Sequence, residues 1–362
     1  MAAPAKPMGN PAFKYLGLPT IRAKLPSRNW LIFLSISSTF AGIIYHDRRE
    51  QSRIQRLWAS RVAHLSQQPL SPLALPRKLT VFLSAAPGTG TDLRSAQEHY
   101  RDFVKPVFVA AALDVEFVEA RRMGEVRARA AERARVARGG GGVQEDAVVE
   151  ETRRKAGVKR VPGVQGDVVL GRHTWKEYVQ GVHEGWLGPL EAPPDDTATV
   201  ATPTDFSAQQ EDTAPPDPPI VEDVKPVKPA VTPPYILPLA YASAPLPAVL
   251  PDALDPVGFI TFPHILGFLN TPVRLYRFVT RRHLADVCGR EAAAIALAWS
   301  RPLGAREVEE ALRGEEGDWP ARYWSDETLK GVWQEDVVVD ERIVARMKRF
   351  VDEGEAESGG GE

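Results

Sequence analysis

Apolar and polar positions follow three different rhythms along this chain. The first is an unbroken one: residues 29–45 read Asn-Trp-Leu-Ile-Phe-Leu-Ser-Ile-Ser-Ser-Thr-Phe-Ala-Gly-Ile-Ile-Tyr, with no charged side chain. A run of roughly 17–25 residues spans a bilayer as a helix, so this one sits at the short end. Trp30 and Tyr45 bracket it, as amphipathic rings do at the two interfaces. The pattern predicts a transmembrane helix over 29–46, anchored by Trp30, Leu31, Ile32, Phe33, Leu34, Phe40, Gly42, Ile43, Ile44 and Tyr45. Ser35, Ser37, Ser38, Thr39 and Gly42 lower its hydropathy, although small residues also suit close helix packing in lipid. After it the rhythm becomes helical: Ile54, Leu57, Trp58, Val62 and Leu65 predict that an amphipathic helix continues through the 47–75 connector. Pro69, Pro72 and Pro76 end it.

The third rhythm alternates strands with helices. Residues 78–83 read as a buried strand, 84–90 as a glycine-containing loop, and 92–112 as a helix bent near Pro106. Strands follow at 114–118 and 167–170, with helices at 123–138 and 174–182. Strands separated by helices imply an α/β fold with a parallel sheet over 76–190. Gly139–Gly142 and the charged stretch to Arg160 read as a flexible insertion, 139–160. From Glu191 to Asp223 there are nine acids and no Lys or Arg, and 15 of the chain's 32 prolines fall between Glu191 and Pro251. Such a segment cannot bury enough apolar surface to offset its ordering entropy, so 191–234 is expected to be a disordered acidic linker. Order resumes over 235–350. There 257–268 is strand- and turn-like, 281–299 is a helix and 341–350 is a basic helix, before a disordered tail at 351–362.

Charge changes the picture at the N-terminus alone. The net charge of the 362 residues is −2, which gives no whole-chain argument for nucleic acid. Residues 1–28 carry five cations and no acid, a mitochondrial targeting composition, yet Pro4, Pro7, Pro11, Pro19 and Pro26 exclude a long presequence helix. Five Lys or Arg flank the uncharged run on each side, so the positive-inside rule leaves its orientation open.

Candidate chemistry is sparse. Gly90 is followed by Thr91 and Asp92, so the P-loop Lys is missing, and Leu93 stands where a dinucleotide fingerprint needs glycine. The seven His make no H-E-x-x-H, there is no G-x-S-x-G, and Cys288 is the single cysteine, mid-helix on an apolar face. No cofactor or metal is implied. Helix 123–138 is rich in arginine without interleaved aromatics, which reads as a solvated face. The residues best suited to partner contact are Arg127, Arg133, Tyr323, Trp324 and Trp333.

Several stretches together resemble a known family. They include Pro26-Ser-Arg-Asn-Trp-Leu-Ile-Phe33, Leu75-Pro-Arg-Lys-Leu-Thr-Val81, Val104-Lys-Pro106 with Ala110-Ala-Ala-Leu-Asp114, and Gly171-Arg-His-Thr-Trp-Lys-Glu-Tyr178. His264-Ile-Leu-Gly-Phe-Leu-Asn-Thr-Pro272 and Asp340-Glu-Arg-Ile343 complete the set. The chain is similar to the Tim-fifty-four family of fungal mitochondrial inner-membrane import subunits, members of the twin-pore carrier translocase. That resemblance implies a non-catalytic scaffold with a matrix-side N-terminus, one membrane helix and a large intermembrane-space domain. Its partners would be the channel and other translocase subunits, small chaperones delivering carrier precursors, and inner-membrane lipid; the family is also linked to assembly of an inner-membrane protease. A second resemblance, to the front half of diacylglycerol-kinase-type lipid kinases, suggests a degenerate form of that fold and a lipid-kinase or lipid-binding alternative. Gly171-Arg172-His173-Thr174-Trp175 stands where those enzymes carry Gly-Gly-Asp-Gly-Thr, so bulky side chains would fill the nucleotide space.

Overall fold

The computed structural model describes residues 27–69, 74–75, 77–139, 148, 151–152, 154–157, 159–160, 165–192, 232–320 and 332–352. Most of the expected tail 1–28, the centre of the linker 191–234, nearly all of 351–362, and Tyr323 and Trp324 lie outside them. The chain divides into two compact units, Met1–Arg49 and Glu50–Glu362.

Helix α1 (Arg28–Val62) joins the uncharged run to the amphipathic stretch, and the division between the units falls within it. Trp30, Leu31, Ile32, Phe33, Leu34, Phe40, Gly42, Ile43 and Tyr45 are exposed on this helix and Ile44 is half-buried. Residues 29–46 do not make the expected transmembrane helix. Among the described residues, no helix is long and apolar enough to cross a membrane. The physical reason is that the uncharged run stops at Tyr45, its centre is diluted by Ser35, Ser37, Ser38, Thr39 and Gly42, and His46, Asp47 and Arg48 follow at once.

In the second unit, β1 (Ala74–Leu75) pairs in parallel with β4 (Lys159–Arg160), so the insertion expected to be flexible ends in a short paired strand. The main sheet takes in β2 (Lys78–Ser84), β3 (Asp114–Ala120), β5 (Gly166–Leu170), β6 (Val257–Ile260), β7 (Ser300–Pro302) and β8 (Lys348–Phe350), in the order β3-β2-β5-β6-β8-β7. The first five strands in that order run parallel, whereas β7 runs antiparallel to β8, so the sheet is mixed rather than wholly parallel. Residues before and after the acidic linker thus share one sheet.

Alternation along the strands divides the core into two. Leu79, Val81, Leu83, Val168 and Leu170 face one cluster with Trp58, Phe103, Phe108 and Ile295; Phe82 and Val169 face the other with Trp175, Val179 and Trp186. On the first face, the segment expected as one bent helix comes in three parts: α2 (Arg94–His99), a π-helical turn (Tyr100–Val104) and α3 (Lys105–Ala110). Pro106 has no N–H to give the carbonyl of Asp102. That carbonyl instead accepts Gln55 Nε2 at 2.5 Å, which ties α1 to the break.

On the second face, α4 (Glu125–Ala137) lies against α5 (Gly171–Leu187), which begins three residues earlier and ends five later than expected. Gly181 and Gly185, one turn apart, let the two backbones meet: a Cβ on Gly185 would lie 2.5 Å from Ala134 Cβ and 2.6 Å from the Ala131 carbonyl. Helix α6 (Thr271–Val279) was not expected, and α7 (Arg281–Leu297) follows it. After α8 (Ala305–Glu310), the expected basic helix 341–350 resolves into α9 (Glu341–Val344) and strand β8. The correction follows from Phe350, which is buried in the first core against Gly166 and Gly258 and needs the strand's reach.

The α4–α5 contact leads to a direct expectation. Gly185→Ala forces the helices apart and lowers unfolding stability by about 1–3 kcal/mol. Gly314→Ala, at an open site, changes it by less than about 0.5 kcal/mol in the same urea titration.

Candidate functional site

Chain order and sheet order together locate a crevice. From β2 the chain goes to β3 on one side, then returns to β5 on the other side of β2. Open α/β sheets take their ligands outside the carboxyl ends of strands at such a reversal. The walls here are the 84–90 loop and the junction of β5 with α5. Gly171 makes that junction abrupt: its φ of 78° is left-handed, and a Cβ there would meet Phe262 Cβ at 3.1 Å and the His173 ring at 3.0 Å.

Protein side chains occupy this crevice. His173 is buried with Nε2 3.4 Å from the Ser84 carbonyl, and its ring packs edge-on to Trp333 at 5.5 Å and Trp319 at 6.5 Å. Burial lowers its pKa to about 4. The N-terminus of α5 would attract an anion, since its first amides have no helical partner. That place is taken by Glu315, carried on the 3₁₀ turn Arg313–Asp318. Its Oε2 accepts the Arg172 N–H at 2.8 Å and its Oε1 accepts the Phe262 N–H at 2.6 Å. One carboxylate therefore joins the residues that follow β5 and β6. The neighbouring Glu316 accepts Arg172 Nε at 2.7 Å and lies 2.9 Å from Lys176 Nζ, fixing the same turn to the first helical turn of α5.

The arginine-rich helix α4 turns charges inward rather than presenting the solvated face expected. Arg127 is buried and pairs with Glu184 while donating also to the Thr232 carbonyl; Arg135 meets the other Glu184 oxygen at 2.6 Å. Arg138 donates to the carbonyls of Gly185 and Gly188 at 2.8 and 2.7 Å. Arg133, part-exposed, pairs with Asp167 at 2.7 Å, whose other oxygen accepts the Tyr178 hydroxyl at 2.7 Å. Trp333 is buried and its Nε1 donates to Glu177 Oε1 at 2.6 Å, while Glu177 Oε2 accepts the Val126 amide at 2.9 Å. Of the five contact candidates, Arg127 and Trp333 thus act inside the body, Arg133 reaches its surface, and Tyr323 and Trp324 lie outside the described residues.

Glu177, Glu184 and Glu315 organise these networks and were not singled out by sequence. A usable signal existed for two of them: Glu177 and Glu184 lie two turns apart on one helix, facing a segment rich in arginine. Cys288 is fully buried, and burial pushes its thiol well above the ordinary value, which leaves it unreactive. Among the described residues, no group of three or more His, Cys, Asp or Glu could hold a metal ion.

Burial raises Glu315 from 4.5 to about 7, even though its two amide donors lower it. Glu177 and Glu291 are likewise raised to about 7 by burial. Between about 4.5 and 7 the folded chain then holds more protons than the unfolded chain, so each carboxyl makes stability fall as pH rises. His99 and His173, lowered to about 4 by burial, act in the opposite sense below about 6.5. The difference between wild type and Glu315→Gln separates the two effects. In urea titrations the wild type should lose about 1–3 kcal/mol relative to the variant between pH 5 and pH 8. A difference independent of pH would remove Glu315 from this role.

Similarity to known proteins is extensive. Residues 10–350 match the family described as "Inner membrane protein import complex subunit Tim54". A relative from Aspergillus oryzae, "Mitochondrial import inner membrane translocase subunit tim54", is 42% identical, the match covering 92% of this chain and 86% of that one. The protein of the same name from Neurospora crassa is also 42% identical, covering 94% and 80%. That from Schizosaccharomyces pombe is 31% identical, covering 87% and 91%. Neither the family nor these relatives carry the name of a kinase, and the lipid-kinase alternative finds no support. With nearly its whole length matched, the chain belongs to the Tim54 family of inner membrane protein import complex subunits.

Proposed function

We propose that this chain is a non-catalytic scaffold subunit of the mitochondrial inner membrane translocase. In this reading its α/β body stands in the intermembrane space, contacts the twin-pore channel and other subunits, and holds the small chaperones that deliver carrier precursors. The names of its relatives support membership of an inner membrane translocase. The observation that carries the scaffold reading is Glu315: a carboxylate of the chain itself sits on the amides that an anionic substrate or nucleotide phosphate would use in an α/β enzyme. With that crevice filled by Glu315, His173 and Trp333, the body offers partners its surface.

Mild-detergent isolation of the tagged chain from its own mitochondria, followed by mass spectrometry, tests this. The channel subunit and the small chaperones should be recovered together. Tyr323 and Trp324 are the aromatic contact candidates, and Tyr323→Ala with Trp324→Ala should reduce chaperone recovery about tenfold or more while the channel subunit is retained. Recovery of neither partner from stable wild-type protein would overturn the scaffold reading.

A further inference from the structure

The sequence from Pro256 to Ala285 contains no Asp or Glu but four arginines, Arg274, Arg277, Arg281 and Arg282. The structure gathers the middle of this stretch into a projecting turn and helix. Gly267, at φ 107°, starts the turn; Asn270 Nδ2 donates to the Leu266 carbonyl at 2.7 Å and the Thr271 hydroxyl to the Phe268 carbonyl at 2.5 Å. This fixed turn holds Phe268 and Leu269 out at 89% and 90% exposure. Helix α6 follows with no buried residue, and Val273, Leu275, Tyr276 and Phe278 are all exposed. Arg277 pairs bidentately with Asp318, at 2.7 and 2.9 Å, and Arg281 reaches Asp102 at 3.2 Å. The Arg277 pair fastens the helix to the body and the Arg281 pair anchors the start of α7, while Arg274 is exposed beside the apolar side chains.

A contiguous exposed patch of large apolar residues marks an interaction site. Its chemistry selects the occupant. Phe and Leu at a loop tip, a following helix with apolar and arginine side chains, and an acid-free surrounding sequence match the boundary between lipid headgroups and acyl chains. Negative headgroups draw such arginines toward the surface. A protein partner would need a complementary hollow or acidic face.

We propose that residues 267–282 dock the body onto an anionic lipid bilayer. Phe268, Leu269 and Phe278 enter the headgroup–acyl boundary, and Arg274 meets lipid phosphates. The proposal rests on the reading of the body as part of an inner-membrane complex, and it names the surface that faces the lipid. It requires no membrane-spanning segment.

The test uses the full chain with Phe268→Cys carrying an environment-sensitive fluorophore; Cys288, being buried, is not labelled. Vesicles of equal parts phosphatidylcholine and phosphatidylglycerol contain a lipid with a nitroxide on its acyl chain. The probe should shift to the blue and be quenched in these vesicles, and stay largely unquenched in phosphatidylcholine alone. Arg274→Glu in the same labelled chain should lower partition into the anionic vesicles by about tenfold. An unquenched probe on vesicle-bound chain would overturn the proposal, as would quenching indifferent to both lipid charge and Arg274→Glu. A blue shift without quenching that grows with protein concentration would assign the patch to a second copy and overturn it too. Translocase subunits recovered with the tagged chain report on the scaffold reading separately, so failure of one leaves the other standing.

Discussion

Glu315 sits where three constraints of this fold meet. The β5–α5 junction leaves the first amides of a seventeen-residue helix without helical partners. The chain leaving β6 presents another amide to be satisfied beside it, that of Phe262. The two strands are neighbours, so a single carboxylate with an oxygen for each amide closes the end of the sheet at its centre. Without it, buried donors would be left unpaired, and each would cost about 1–3 kcal/mol. The same 3₁₀ turn carries Glu316, which pairs with the buried Arg172 and Lys176, and His173 packs against Trp319 and Trp333.

A similar economy governs the outer layer on the second face. Two helices cannot approach to backbone contact if either carries bulk at the crossing, and Gly181 and Gly185 on α5 face Ala130, Ala131 and Ala134 on α4. Close approach brings Arg127 and Arg135 onto Glu184, in a place shielded from water. Burying such charges is unfavourable unless each is paired; here both arginines share Glu184, Arg127 donates also to the Thr232 carbonyl, and the Arg135 guanidinium lies over the Tyr235 ring, 3.7 Å from its centre. Removing Glu184 alone would leave two buried cations, a far larger disturbance than removing an exposed pair.

The strand-rich half of the fold was legible because local pattern and tertiary demand agree there. The stretches 78–83 and 167–170 are short and bounded by turn residues, and burial on both faces of a parallel sheet rewards their apolar runs, whereas 114–118 alternates and forms the largely exposed edge strand. The same agreement fails at 348–350, where Lys-Arg-Phe sits at the end of a helical-looking charge pattern and strand pairing with β7 decides the outcome. Arginine content suggested a wetted helix at 123–138, because periodicity cannot reveal a buried acid supplied by another element. The uncharged run at 29–45 illustrates a limit of counting: absence of charge was clear, whereas hydropathy diluted by five small or hydroxylated residues was not enough to make a spanning helix. Glu315 left no trace in the sequence, since its role arises from a loop that returns across more than a hundred residues.

The position of β8 has a consequence for the order of events in the cell. This strand comes last among the described elements, yet it is inserted between β6 and β7, which precede it by about fifty residues or more. A ribosome or an import channel releasing the chain from its N-terminus therefore delivers an incomplete sheet, with the edge of β6 open, until Lys348–Phe350 emerge. Through that interval an exposed parallel edge is available for mispairing. Completion of the sheet thus waits on the last of the described strands: without Lys348–Phe350, β7 has no strand to pair with and the edge of β6 stays open.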